Sequence, residues 1–320
     1  MDARQRLTRR LPPLPSSLGN KDVQTESEGQ APSTLYRRTL RKVVIKKPTL
    51  WSCLFPSIAA RREQLWYRMK SEPRGLAFIL NNKHFDTMKV RHGSDCDSRN
   101  MEHLLKALRF KTVVHRDLTA EEILSEVRKF SLLDHSDYDC CAVVLLSHGN
   151  AEAIFGTDGK PVSYSAILQR FDGQHNKALL NKPKLFFMEA CRGDMTDRGA
   201  DESPLLLPFS YQDTEANRQR NYFVPSNMPN ICDIYLGFST VPGYTSWRNS
   251  QRGSWFVQSL IDVFSEHAAR EDLCSLMTRV NQKVALSFES QGGKLTKRKQ
   301  VPAPVNMLTK KLYFFPEYAR

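Results

Sequence analysis

K-L-F-F-M-E-A-C-R-G, Lys184 to Gly193, begins as an apolar run of strand length, stops at Met188 and passes into a carboxylate, a thiol and a guanidinium. A second apolar run, C-A-V-V-L-L (141–146), passes in the same way into Ser147, His148 and Gly149. In open α/β sheets, ligands bind at the carboxyl ends of the strands. If the two runs are neighbouring parallel strands, His148 and Cys191 emerge together on one edge.

The surrounding pattern supports such a sheet. Further strand-length apolar runs read G-L-A-F-I-L (75–80), F-K-T-V-V-H (110–115), I-Y-L-G-F-S (234–239) and K-L-Y-F-F (311–315). Between them lie segments of helical period. Met101, Leu104, Leu105 and Leu108 keep one face, and Ile123, Val127 and Phe130 follow Thr119, a cap residue with Glu122 three positions on. Helical stretches also cover 253–267 and 271–288. Short alternation of strand and helix implies right-handed crossovers, and near-continuous apolar strands imply a sheet covered on both faces. The expected fold is a three-layer α/β/α sandwich around about six mostly parallel strands, with an antiparallel C-terminal edge strand at Leu312 to Phe315.

Two intervals break this rhythm. Residues 1–60 contain P-P-L-P-S-S and many small polar residues without periodicity, the composition of a disordered tail. Asp194 to Asn230 is irregular too, and a structureless stretch of that length inside a compact domain is functional or disordered. The formal charge of +13 is uneven, since residues 1–74 carry 16 Lys and Arg against 6 Asp and Glu. The basicity belongs to the tail, and no nucleic-acid recognition module accompanies it. A basic nucleic-acid-binding protein with an α/β domain stays open as an alternative class.

No apolar run is long enough for a membrane span, and M-D-A-R-Q-R-L-T-R-R has no apolar segment behind its charges. The seven cysteines show neither C-x-x-C pairs nor Cys/His ligand spacing. The expectation is a cytoplasmic protein, with nuclear entry open, holding no metal or organic cofactor and working without nucleic acid or membrane as partner.

A cysteine with a pKa near 8.5 is mostly protonated at neutral pH, and a neighbouring imidazole can accept that proton and later return it to a leaving amine. The amides of Gly149 and Cys191 are then placed to face a developing oxyanion. Taken singly, a buried cysteine and a structural histidine are ordinary core features. Their placement at adjacent strand ends favours catalysis.

S-H-G followed by E-A-C-R-G resembles the caspases, whose signature is Q-A-C-[RQG]-G with the histidine upstream. R-H-G-S-D-C-D (91–97), Y-T-S-W-R-N-S-Q-R-G-S-W-F (244–256) and the C-terminal Q-V-P-A-P-V-N-M-L-T-K-K-L-Y-F resemble further segments of that family, in the same order. The resemblance implies that Cys191 is the nucleophile and His148 the acid and base. It also implies that Arg91 and Arg248 grip a substrate aspartate, beside Ser246 and Ser254, while Trp247, Asn249 and Trp255 shape outer pockets. Two guanidinium forks suit one carboxylate on chemical grounds as well.

Glu189 stands where the family has glutamine. An ionised carboxylate only accepts hydrogen bonds and repels a substrate carboxylate. Either the arginines compensate, with Glu189 swung onto one of them, or Glu189 takes up a proton when the substrate arrives.

The resemblance further implies an executioner-like cysteine endopeptidase of apoptosis, cleaving proteins after aspartate. It would carry a short prodomain (1–60), a large subunit (61–213) and a small subunit (214–320), and work as a homodimer paired through the edge strand Leu312 to Phe315. An upstream protease would activate it by cutting the 194–230 linker, at Asp213 first and Asp201 second, with Asp22 as the processing site in the tail. Protein inhibitors would be further partners. The alternatives that Glu189 favours are a catalytically impaired homologue acting as a regulator, or an altered specificity because Glu189 replaces the usual glutamine.

Overall fold

The computed structural model describes residues 65–199, 230–291 and 295–319. The expectations placed on residues 1–60, Asp22, Asp201 and Asp213 lie outside them. Six strands form the central sheet: β1 (Gly75–Asn81), β2 (Phe110–Arg116), β3 (Cys140–Leu146), β6 (Lys184–Glu189), β7 (Ile234–Phe238) and β10 (Ala303–Met307). Their order is β10-β7-β6-β3-β1-β2, parallel throughout except for β10, which runs antiparallel to β7. Two hairpin ribbons stand apart from it, β4 (Ala153–Phe155) with β5 (Pro161–Ser163), and β8 (Arg248–Asn249) with β9 (Gly253–Ser254).

Every residue of β1, β3, β6 and β7 is buried. Side chains alternate across a strand, so each apolar run supplies two cores. Ala77, Ile79, Ala142, Val144, Leu185 and Phe187 pack on one face, with α1 (Ser94–Ala107), α4 (Trp255–His267) and α5 (Leu273–Ser287). Phe78, Leu80, Val143, Leu145, Phe186 and Met188 pack on the other, with α2 (Ala120–Ser131) and α3 (Tyr164–Leu168). This is the expected three-layer arrangement. The capping box is present, with Thr119 Oγ1 accepting the Glu122 N–H and the Glu122 side chain accepting the Thr119 N–H. Asp272 and Ser254 cap α5 and α4 by accepting backbone N–H groups, without the reciprocal bond.

One expected strand is corrected. Residues 311–315 do not join the sheet; they make isolated bridges, Lys311 to Trp66 and Tyr313 to Asp272. Leu312, Phe314 and Phe315 enter the core, and the Phe314 ring lies 5.8 Å from that of Phe264. The C-terminal edge is taken by β10, whose sequence A-P-V-N-M contains a proline. Proline removes a ladder donor, so it is confined to edges, where one side of the strand has no partner to satisfy. A short apolar run made 311–315 look like a strand, although the same composition also serves an extended segment that tucks under a helix.

Phe314→Ala is expected to lower the unfolding free energy by about 3–5 kcal/mol in urea titrations, through cavity formation in a closed core. Leu286→Ala, at a position 74% exposed, is expected to stay within about 0.5 kcal/mol of the parent.

Candidate active site

Strands β3 and β6 pair in parallel with Leu146 opposite Glu189. His148 and Cys191 therefore each lie two residues beyond the last matched pair, on neighbouring strands and at the carboxyl edge. His148 is 5% exposed, and its ring packs against Phe85 at a centroid distance of 4.7 Å. Its Nε2 lies 2.8 Å from the Lys89 carbonyl oxygen. A carbonyl only accepts, so Nε2 carries the proton and Nδ1 carries the lone pair. That tautomer is the one a general base needs. Cys191 is partly exposed, and its Sγ approaches the Ser246 carbonyl at 3.8 Å.

Gly149 bridges Ile154 as a non-hydrogen-bonded pair. The hydrogen bonds run through its neighbours, from Phe155 N–H to His148 O and from Asn150 N–H to Ala153 O, both at 2.9 Å. The Gly149 amide therefore points away from β4. A Cβ at this position would meet the Ala153 carbonyl at 2.7 Å and the Ala190 Cβ at 3.0 Å, so only glycine fits.

Close to these groups lies a largely buried cluster of ionisable side chains. Arg91 donates from Nη1 to the Asn82 carbonyl at 2.9 Å and from Nη2 to the Glu189 carbonyl at 3.3 Å. Arg248, half-buried on β8, donates from Nε to the His92 carbonyl at 2.9 Å. The Glu189 carboxyl turns to neither arginine: Oε1 accepts the Ser246 hydroxyl at 2.7 Å. Oε2 is buried without a hydrogen-bond partner, and nearby Ser239 donates instead to the Ala190 carbonyl at 3.3 Å. Burial pushes the Glu189 carboxyl above the usual carboxylate range, against the pull of Ser246 and the two arginines. Burial and then the Arg248 charge push Arg91 downward.

Asp97 was quoted within R-H-G-S-D-C-D but given no role in the sequence reading. It is fully buried in the first turn of α1, where Oδ1 accepts the Ser254 N–H at 2.8 Å and Oδ2 is without a partner. Burial first, and the charge of Glu189 second, push its pKa up to about 7. Gly253 makes room for it, since a Cβ there would lie 2.2 Å from Asp97 Oδ1, and its φ of 86° suits glycine. Ser254, placed by the sequence beside the arginines, holds Asp97 with its amide and caps α4 with its hydroxyl, which accepts the Val257 N–H at 3.1 Å.

Four motifs, in one order and one geometry, point to a single family. A family model described as "Caspase domain" matches residues 74–313. The chain belongs to the caspase family. It is 39% identical over 255 residues to caspase-7 of Gallus gallus, an alignment covering 78% of this chain and 79% of the relative. Over 253 residues it is 37% identical to caspase-3 of Bos taurus, covering 78% and 87%. Caspase drICE of Drosophila melanogaster is 34% identical over 289 residues, covering 89% and 78%.

The remaining positions suggested by the caspase motifs fall around the pocket. Trp247 and Trp255 are buried and stacked, with centroids 5.7 Å apart, and Trp255 stacks in turn on Phe288 at 5.5 Å. Asn249 Oδ1 accepts the amides of Gln251 and Arg252, both at 2.9 Å, and so shapes the β8–β9 turn. The sequence reading missed Gln300, which accepts the Trp247 N–H at 2.8 Å and donates to the Ser239 carbonyl at 2.7 Å, tying the Ser246–Trp247 segment to the end of β7. Lys89 was missed because it acts through its carbonyl, which no side-chain pattern reveals. Among the described residues, no group of three His, Cys, Asp or Glu side chains is arranged to hold a metal ion.

Gly149→Ala is expected to reduce kcat by at least about tenfold, because the clash with the Ala153 carbonyl displaces the backbone beside His148. Steady-state kinetics on an Asp-ending fluorogenic peptide, with circular dichroism as the check on folding, measure the effect.

Proposed function

We propose that the chain is a cysteine endopeptidase that cleaves proteins after aspartate. The observation that carries this reading is the juxtaposition of His148 and Cys191 at neighbouring strand ends, with Nε2 of the histidine held by the Lys89 carbonyl. Nδ1 accepts the Sγ proton, and the thiolate attacks the scissile carbonyl carbon. The oxyanion lies toward the Gly149 and Cys191 amides. The C–N bond then breaks, His148 delivers its proton to the leaving amine, and a thioester remains. A water molecule, deprotonated by His148, attacks that thioester; its collapse releases the new carboxyl end and returns the proton to the thiolate. Arg91 and Arg248 bind the carboxylate of the residue before the cut.

The same reading makes the chain a zymogen and an executioner of apoptosis, with large and small subunits meeting in the 194–230 interval. The pocket supports this division because Arg91 and Glu189 precede the interval while Arg248 and Ser254 follow it. Cleavage at Asp213, and secondarily Asp201, frees two new ends to rearrange. A homodimer would form through β10 rather than through 311–315: β10 is the free edge on that side of the sheet, with Val305 44% exposed, and pairing with a copy satisfies an open edge. The buried Glu189 favours one second reading, an impaired homologue that regulates rather than cuts.

Purified protein is expected to hydrolyse an Asp-ending fluorogenic peptide, and Cys191→Ala and His148→Ala are each expected to lower kcat by at least about a thousandfold while keeping the fold. A parent protein without turnover supports the regulator; a Cys191→Ala variant retaining more than trace turnover removes the nucleophile. Mass spectrometry of self-processed protein is expected to show a new amino terminus after Asp213. A fully active enzyme with an intact linker would contradict zymogen control.

A further inference from the structure

Four charged side chains meet in the pocket below Cys191. Arg91 comes from the loop before α1, Asp97 from the first turn of α1, Glu189 from the end of β6 and Arg248 from β8. Arg91, Asp97 and Glu189 are each no more than 1% exposed. Neither carboxyl forms an ion pair with either guanidinium, and each keeps one buried oxygen without a hydrogen-bond partner.

The charge count of this pocket depends on protons. With both acids ionised the four groups sum to zero, and an arriving substrate carboxylate would leave a buried net negative charge. With one proton retained the pocket is positive by one, and the same carboxylate makes it neutral. One retained proton also gives the pocket the charge it would have with glutamine at position 189. A protonated Glu189 further regains a donor, since its O–H can point at the substrate as an amide N–H would. Two carboxyls that share a buried site resist double ionisation, and a third arriving carboxylate strengthens that resistance.

We propose that Asp97 and Glu189 together hold one proton whenever a substrate carboxylate occupies the pocket, so that aspartate is recognised as a carboxylate plus a proton drawn from solvent. This rests on the reading that Arg91 and Arg248 receive the residue before the cut. Asparagine, of nearly the same shape, brings no charge and calls for no proton. Selectivity for aspartate over asparagine therefore depends on pH in this chain, and Asp97 and Glu189 are its specificity-determining residues. Burial pushes both carboxyls upward, Asp97 to about 7. The direction follows from linkage. The occupied pocket binds its proton more tightly than the empty one, so aspartate recognition is fully present below the empty pocket's pKa and falls as pH rises from there to the higher pKa of the occupied pocket. The ionisable groups facing this pair are Arg91, Arg248 and, above them, Cys191. Cys191 and His148 serve both substrates equally and cancel from the ratio.

The test compares kcat/KM for matched Asp-ending and Asn-ending peptides between pH 6 and 7.5, in the parent, Glu189→Gln and Asp97→Asn. One proton limits the change to about tenfold per pH unit, and a free-pocket pKa near 7 gives the lower bound, so the Asp/Asn ratio in the parent is expected to rise by about 4- to 30-fold as pH falls. In both variants the ratio is expected to stay flat within about twofold, and Glu189→Gln is expected to cleave the Asp peptide faster than the parent at pH 7.5. Should Asp97→Asn fold poorly, calorimetry replaces it. Asp-peptide binding to Cys191→Ala protein, titrated at pH 7.5 in buffers of different ionisation heat, should show uptake of most of one proton, and the Asn peptide should show none. A parent slope retained in Asp97→Asn would assign the proton to Glu189 alone and overturn the pair. A flat ratio or no proton uptake in the parent, with Asp peptides still cleaved, overturns this inference and leaves the peptidase reading standing. Absence of cleavage after either residue overturns both.

Discussion

The parallel register of β3 on β6 is the constraint on which the site depends. Both strands are buried on both faces, and successive side chains serve opposite cores. Phe186 meets Phe171 on one side at 5.3 Å, and Phe187 meets Phe264 on the other at 6.4 Å. A slip of one residue would exchange the two sets and bring each against the wrong helices. Packing well away from the chemistry therefore fixes Leu146 opposite Glu189, and the residues two steps further on have no choice but to emerge together. His148 and Cys191 are placed by Val143, Val144, Phe186 and Phe187 as much as by any contact of their own.

The pocket beneath them is an electrostatic compromise. Taking four ionisable groups out of water is costly unless fixed dipoles replace the lost hydration. The structure supplies backbone carbonyls to the guanidiniums, from Asn82, His92 and Glu189, and one N–H and one hydroxyl to the carboxyls, from Ser254 and Ser246. Each arginine is held by backbone carbonyls rather than by an acid. Segments from both sides of the 194–230 interval contribute to this arrangement. Two bridges, Met195 to Tyr244 and Asp197 to Lys299, tie the start of the interval to the later half of the chain.

Fold class and the placing of His148 and Cys191 at neighbouring strand ends were legible in the sequence because both are local. Apolar runs of strand length, helical periods between them and the Thr119–Glu122 cap are written within a few residues of each other. The chemistry of a thiol and an imidazole at strand ends needs only the assumption that the strands are neighbours. K-L-Y-F-F was misplaced because a short apolar run describes a buried segment without saying what lies beside it, and β10 was overlooked because its proline weakens the strand pattern that an edge position permits.

Residue types and their order along the chain determined that this protein has a buried parallel sheet, a cysteine and a histidine at its carboxyl edge, and a glutamate where the caspase motif carries glutamine. Tertiary structure alone decided what that glutamate does. Its environment is made by Asp97, nearly a hundred residues earlier, and by Ser246 and Arg248, more than fifty residues later. The protonation of a buried carboxyl is set by solvent exclusion and by the sum of fields from every charge around it, and those distances exist only once the chain has folded.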